Sequence, residues 1–172
     1  MKKLNKLFFT LTIVWMIVIF IFSAQSGDDS ANLSGGITEA IVSFLYKDFD
    51  SFSPNKQLAI LDKAHFIIRK LAHFTEYAIL GIFSSLTCLT YIYDKVTDFA
   101  SVKNKICMLK VISISFIFST LYAISDEIHQ GFTDNRYPSP RDVIIDSSGA
   151  LTGILITCLI FYYIYTKKKR TN

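Results

Sequence analysis

Charge is scarce in this chain: Asp, Glu, Lys and Arg make up 19% of its 172 residues, against roughly a quarter in an ordinary soluble domain. Proline (three) and glycine (seven) are scarce too, which excludes collagen-like and low-complexity architectures. The three cysteines are odd in number and form no Cys-x-x-Cys pair or Cys/His metal spacing. Neither a disulfide framework nor a zinc module is expected, and the cysteines read as packing residues. What fills the chain instead is apolar: 51% hydrophobic residues with 15 Phe and 9 Tyr, and a mean hydropathy of +0.38. That composition excludes disorder, and the length is that of a single domain. Whether the chain is a very apolar globule or a membrane protein depends on where its few charges sit.

They sit at the ends of long apolar runs. Residues 7–24 carry no charge; residues 71–93 carry one carboxylate, Glu76, and one histidine, His73, both near the start. Residues 109–125 contain only Lys110, and 143–166 only Asp146, each near its beginning. A helix needs ~20 apolar residues to cross the ~30 Å hydrocarbon slab, and a soluble buried helix seldom stays apolar on all faces for so long. The expected fold is an all-α integral membrane four-helix bundle with spans of about 7–24, 71–93, 109–128 and 141–166. Basic residues set the expected orientation. Lys2, Lys3 and Lys6, then Lys95, Lys103, Lys105 and Lys110, then Lys167, Lys168, Lys169 and Arg170 all fall on one side of a four-span chain. The positive-inside rule makes that side cytoplasmic: both termini are expected on the cytoplasmic side of the membrane, and the first and third connections face out. The net charge of +4 is accounted for by this topology signal and by anionic lipid, with no nucleic acid implied. A cleaved signal peptide is the other reading of the first run, disfavoured because the apolar stretch exceeds the ~7–15 residues usual for one.

The first connection, 25–70, is more than a linker. Residues 34–46 place Ile37, Ile41, Phe44 and Leu45 on one helical face, and Leu58, Leu61, Ala64, Ile68 and Leu71 repeat the pattern before running into the second span. Short amphipathic interfacial helices on the extracytoplasmic side explain both; core-facing helices of a small outer cap are the alternative. Residues 47–55, polar and carrying Pro54, read as the loop between them.

Polar residues converge at one depth. In the second span Arg69, His73, Glu76, Tyr77 and Leu80 share a helix face, with Glu76 roughly 9 Å beyond Lys70 along the axis. In the third, Tyr122, Asp126 and Gln130 are four apart, with Glu127 and His129 beside them. In the fourth, Asp142, Asp146, Gly149 and Gly153 follow spacings of four, three and four. Carboxylates near hydrocarbon cost a few kcal/mol each unless paired or hydrated, so the three stripes are expected to face one another round a wet outer cavity. Gly149 and Gly153 form a small-xxx-small pair for close helix approach. Plainer roles compete. Asp142 falls in the capping-box position after Ser139 and Pro140, Glu127 reads equally as a solvated helix end, Arg69 and Lys70 as headgroup anchors, and His65 as surface. A structural ion network joining His73 to Asp146 is the alternative to a site.

Arg136 and Arg141 lie just before a helix amino terminus, which itself attracts anions, and guanidinium pairs bidentately with phosphate. Histidines with neighbouring carboxylates suit general acid–base or nucleophilic work. The expected catalytic set is His73, Glu76, Asp126, Glu127, His129 and Asp146. The expected binding set is Arg69, Lys70, Tyr77, Gln130, Arg136, Arg141 and Asp142. His73-x-x-Glu76 and Glu127-x-His129 offer nitrogen and oxygen donors, but not at the spacing of a zincin HExxH, so no metal ligand is assigned and the cofactor stays unknown.

The segments Phe22-Ser-Ala-Gln-Ser-Gly27, Arg69-Lys-Leu-Ala-His-Phe-Thr-Glu-Tyr77 with Leu80-Gly81, Asp126-Glu-Ile-His-Gln130, and Arg136 followed by Arg141, Asp142, Asp146, Gly149 and Gly153 resemble the VanZ-like family. The resemblance runs from about Phe22 to Ile156, with all four segments in order. It implies a single membrane domain over 1–172, in a four-span bacterial envelope protein whose founding relative is associated with low-level teicoplanin resistance. It also implies kinship with enzymes acting on lipid head groups, by analogy only. The positions it carries over are Arg69, Lys70, His73, Glu76, Tyr77, Asp126, Glu127, Gln130, Arg136, Asp142 and Asp146. Two functional readings follow. One is an enzyme hydrolysing or transferring head groups of phospholipid or a lipid-linked cell-wall precursor. The other is a non-catalytic binder that shields such a precursor or the glycopeptide. The expected partners are membrane lipids, with no oligomeric state implied.

Overall fold

Five α-helices lie among the described residues, and the local reasons for their ends are visible. The structure, a computed structural model, describes residues 2–25, 27–95, 105–134 and 137–171, without the side chains of 27–34, 93–95, 105 and 165–171. The helices are α1 (Lys2–Ser23), α2 (Gly27–Leu45), α3 (Pro54–Lys95), α4 (Lys105–Gln130) and α5 (Pro140–Thr171), with one 3-10 turn at Phe49–Ser51 before α3. Proline stands first in both α3 and α5, where its missing N–H has no intrahelical partner to lose. The carbonyls of Ser53 and Ser139 then accept the opening bonds, from Lys56 and Gln57 in one case and Asp142 and Val143 in the other. Ser26, Lys103 and Arg136 lie outside the described residues, as do the side chains of Lys95, Lys105, Lys167, Lys168, Lys169 and Arg170.

Four helices, α1, α3, α4 and α5, are long and apolar enough to cross a membrane. Their surfaces agree with that use. Phe9, Ile17, Leu121 and Leu159 are 57%, 53%, 61% and 68% exposed, apolar faces that an aqueous globule would bury. α3 is the central helix and packs on the other four, most extensively on α5. Two apolar layers fill the bundle. Ile19, Tyr77, Leu80, Ala123 and Ala150 form one; Leu89, Val111, Ile154 and Cys158 form the other, with Cys88 against them. All three cysteines are free.

The α3–α5 contact sets the register of everything below. These two helices run in the same direction, Phe74 beside Gly149 and Ala78 beside Gly153, with Gly81 against Ala150. At all three glycines a Cβ would overlap the neighbouring backbone carbonyl. Backbones this close gain dispersion and Cα–H···O contacts that larger side chains would forbid. α1 and α4 run the other way, because the Asn5 amide reaches the Thr87 carbonyl and Thr90 near the far end of α3, whereas Phe20 stacks on His129. The start of α1 and the end of α5 therefore lie at the end of the bundle away from Asp126 and Asp146.

α3 has 42 residues, ~63 Å at 1.5 Å per residue, about twice the hydrocarbon slab. Residues 58–71, expected as a short amphipathic interfacial helix running into the second span, are instead continuous with that span as the opening turns of α3. α2 folds back on it. Thr38 and Val42, 0% and 2% exposed, face α3, and the Thr38 hydroxyl lies 3.2 Å from His65 Nδ1. His65, read from the sequence as a surface residue, is instead half-buried in this hairpin. Ile37, Ile41, Phe44 and Leu45 point outward and stay exposed, the arrangement of a helix that lays its apolar face on a bilayer. Gln57 secures the turn by donating to the carbonyls of Phe49 and Phe52, and Lys56 sits over the Phe52 ring.

Candidate functional site

The parallel register of α3 and α5 brings their polar stripes face to face. Lys70 pairs with Asp142, and three to four residues deeper His73 Nδ1 stands 3.7 Å from Asp146 Oδ1, an ion-pair distance once the imidazole is protonated. Asp146 is 0% exposed, and neither of its oxygens has a hydrogen-bond partner among the described residues. α4 supplies the third side. Asp126 and Glu127 are each 3% exposed, and both fall, with Asp142 and Glu76, within electrostatic reach of Asp146. Gln130 Nε2 donates to Asp126 at 3.2 Å, and the side chains of Tyr77 and Ser23 lie near the same carboxyl. Glu127 Oε2 accepts the Ser139 backbone N–H at 2.7 Å, so one buried carboxyl ties the end of α4 to the start of α5. The reading of Glu127 as a solvated helix end does not describe this geometry, nor does Asp142 act only as a cap.

Over this acidic layer lies a pocket of about 280 Å³ lined by Arg69, Lys70, His73, Gln130, Tyr137, Ser139 and Asp142. Its wall is thus cationic on α3 and carboxylate or amide on α4 and α5. Among the described residues, no three His, Cys, Asp or Glu side chains converge as they would round a metal ion.

Not every expected residue reaches the pocket. Arg141 is exposed and is not among the lining residues; with Asp142 turned to Lys70, its predecessor on the helix points ~100° away. Arg136 is outside the described residues. His129 lies on the α1 side, its ring 4.3 Å from that of Phe20, near Asp126 but away from the lining. Glu76 stands one turn deeper, and its backbone carbonyl accepts the Trp15 indole N–H at 2.8 Å. Tyr122 donates to the Met16 carbonyl at 2.6 Å. Sequence reasoning missed the contribution of α1, whose Trp15, Met16, Phe20 and Ser23 close the site from behind. Ser23 belonged to the Phe22–Gly27 segment, the one signal that α1 was more than a lipid-facing rod. Tyr137, 88% exposed at the pocket rim, carried none.

The Glu127–Ser139 bond makes a stability prediction. Glu127→Ala should destabilise the protein by ~1–3 kcal/mol, while Glu127→Gln, which keeps an acceptor, should lose less than half of that. An SDS titration in mixed micelles checks this, and equal loss in the two variants would remove the assigned role.

A polytopic helical protein with a charged pocket sunk between its spans is thereby defined. Residues 8–162 match the VanZ/LLP1 family model, all but the two tails, and the chain belongs to that family of membrane proteins. No curated protein and no solved structure matches it.

Proposed function

We propose that the pocket takes the phosphate-bearing head group of a lipid, phospholipid or lipid-linked cell-wall precursor, from the outer leaflet and hydrolyses or transfers it. The observation that carries this reading is His73 on the pocket wall with Nδ1 turned to the buried carboxyl of Asp146. A carboxylate behind an imidazole fixes its tautomer and supports positive charge on it, so Nε2, on the opposite side of the ring, serves as base or nucleophile. Arg69 and Lys70 hold the phosphate and stabilise charge developing on its oxygens. Gln130 and Tyr137 bound the head group, and the buried carboxyls of Asp126, Glu127 and Asp146 lie beneath it, Asp146 directly behind the imidazole. The distribution of basic residues supports an orientation with this end of the bundle on the outer face of the cytoplasmic membrane. There, head-group change would alter the access of a glycopeptide such as teicoplanin to its target.

Lipid mass spectrometry of membranes from cells with and without the protein tests the proposal. The expected result is a reciprocal change in two lipid or precursor species that differ by one head group. An unchanged profile at full expression would reject the enzyme and leave the pocket a binding cleft.

A further inference from the structure

The half of the bundle away from the polar pocket contains a second cleft that the proposed chemistry does not use. α1 and α4 meet near the polar pocket, through Tyr122 on the Met16 carbonyl and Phe20 on His129, but make few contacts elsewhere, α1 resting on α3 and α4 on α5 and α3. The gap between α1 and α4 is about 550 Å³, walled by Phe9, Ile13, Tyr91, Ile114 and Phe118. Most polar groups in it are already satisfied: Asn5 by Thr87 and Thr90, and Thr12 by the Phe8 carbonyl and Thr87. Lys110 lines the cleft, is exposed, and forms neither of the ion pairs found among the described residues. Lys2, Lys3 and Lys6 are exposed at the same end of the neighbouring helix α1.

We infer that this cleft binds one anionic phospholipid, its phosphate on Lys110 and an acyl chain lying between α1 and α4. The chemistry matches at two depths. An exposed ammonium at the cleft mouth attracts an anion, and the lysines of α1 add to the same field. The walls beyond are apolar, on helices whose other neighbour is the bilayer itself. The occupant fills the space that α1 and α4 leave between them and so fastens α1 to the bundle.

Photolabelling tests this on the full chain in phosphatidylcholine nanodiscs doped with phosphatidylglycerol bearing a photoreactive acyl chain. Label should concentrate on Phe9, Ile114 and Phe118. Lys110→Ala should reduce it about fivefold, the effect of one cation near the surface, without changing labelling by the phosphatidylcholine analogue. Ile114→Trp, which fills the cleft from an exposed wall position and leaves the core alone, should abolish it; thermal denaturation of both variants confirms that they fold. Label spread evenly onto lipid-facing residues elsewhere, such as Leu121 and Leu159, would overturn the assignment, as would equal labelling by the two lipids. So would chain-to-chain cross-links at Ile114, which would make the occupant a second copy. None of these readouts depends on the activity proposed for the polar pocket.

Discussion

A Gly153→Val protein is expected to lose about 3 kcal/mol or more of stability and, with it, the alignment of His73 against Asp146. The argument runs from one atom. A Cβ at position 153 would occupy the space of the Ala78 carbonyl, which belongs to a helical backbone and cannot rotate away like the tip of a flexible side chain. The only relief is separation of α3 and α5. Because Gly149 against Phe74 and Gly81 against Ala150 fix the same pair of helices, separation forfeits those contacts as well. Lys70–Asp142 and His73–Asp146 ride on this interface, one to two turns toward the site end. An SDS titration followed through Trp15 emission reads the loss directly, since that indole packs edge-on against Phe83 and donates to Glu76. Gly36→Ala is the control: a Cβ there meets nothing within 4 Å, so its midpoint should stay at or slightly above the parent value. A Gly153→Val midpoint equal to the parent's would mean that the close approach of α3 and α5 is not what holds the site.

The spans were legible because hydrocarbon imposes a length and a composition that sequence displays without any partner. The facing of the stripes was legible for a related reason: His73, Asp126 and Asp146 are too costly in lipid to point outward, so helical spacing alone gave their direction. Gly149 and Gly153 signalled close packing, but not against which helix. That α3 and α5 run parallel and adjacent is a long-range fact, and it decides that Lys70 meets Asp142 and His73 meets Asp146. The burial of His65 was hidden likewise, since it depends on α2 folding back over α3. The part played by α1 was hidden by uniformity. In a helix apolar on every side, nothing in the spacing of Trp15, Phe20 and Ser23 distinguishes the face toward α3 and α4 from the face toward lipid. Arg141 shows the opposite failure: closeness in sequence to a helix amino terminus suggested a phosphate ligand, but adjacent helical residues diverge, and the position facing the pocket is taken by Asp142.

His73→Ala should lower the proposed head-group activity by 10²–10⁴-fold, the usual contribution of a positioned acid–base side chain, while protein level and SDS midpoint stay near those of the parent. The imidazole lies at the edge of the pocket, 15% exposed, outside both apolar layers, so removing it leaves the packing of the bundle intact. Asp146→Asn probes the same couple from beneath. The amide fits the space but cannot support positive charge on the ring, so activity should fall while lipid binding persists. Lys70→Met should act differently, weakening retention of the phosphate and releasing Asp142, and so raising the substrate concentration needed for half-maximal rate more than it lowers the maximal rate. A binding cleft without chemistry predicts another pattern: His73→Gln would be tolerated, and the loss would scale with the cations of the wall, greatest for a double change at Arg69 and Lys70. Turnover measured on lipid extracts across these five variants therefore separates an imidazole at work on phosphorus from one that only fills a polar gap beside Asp146.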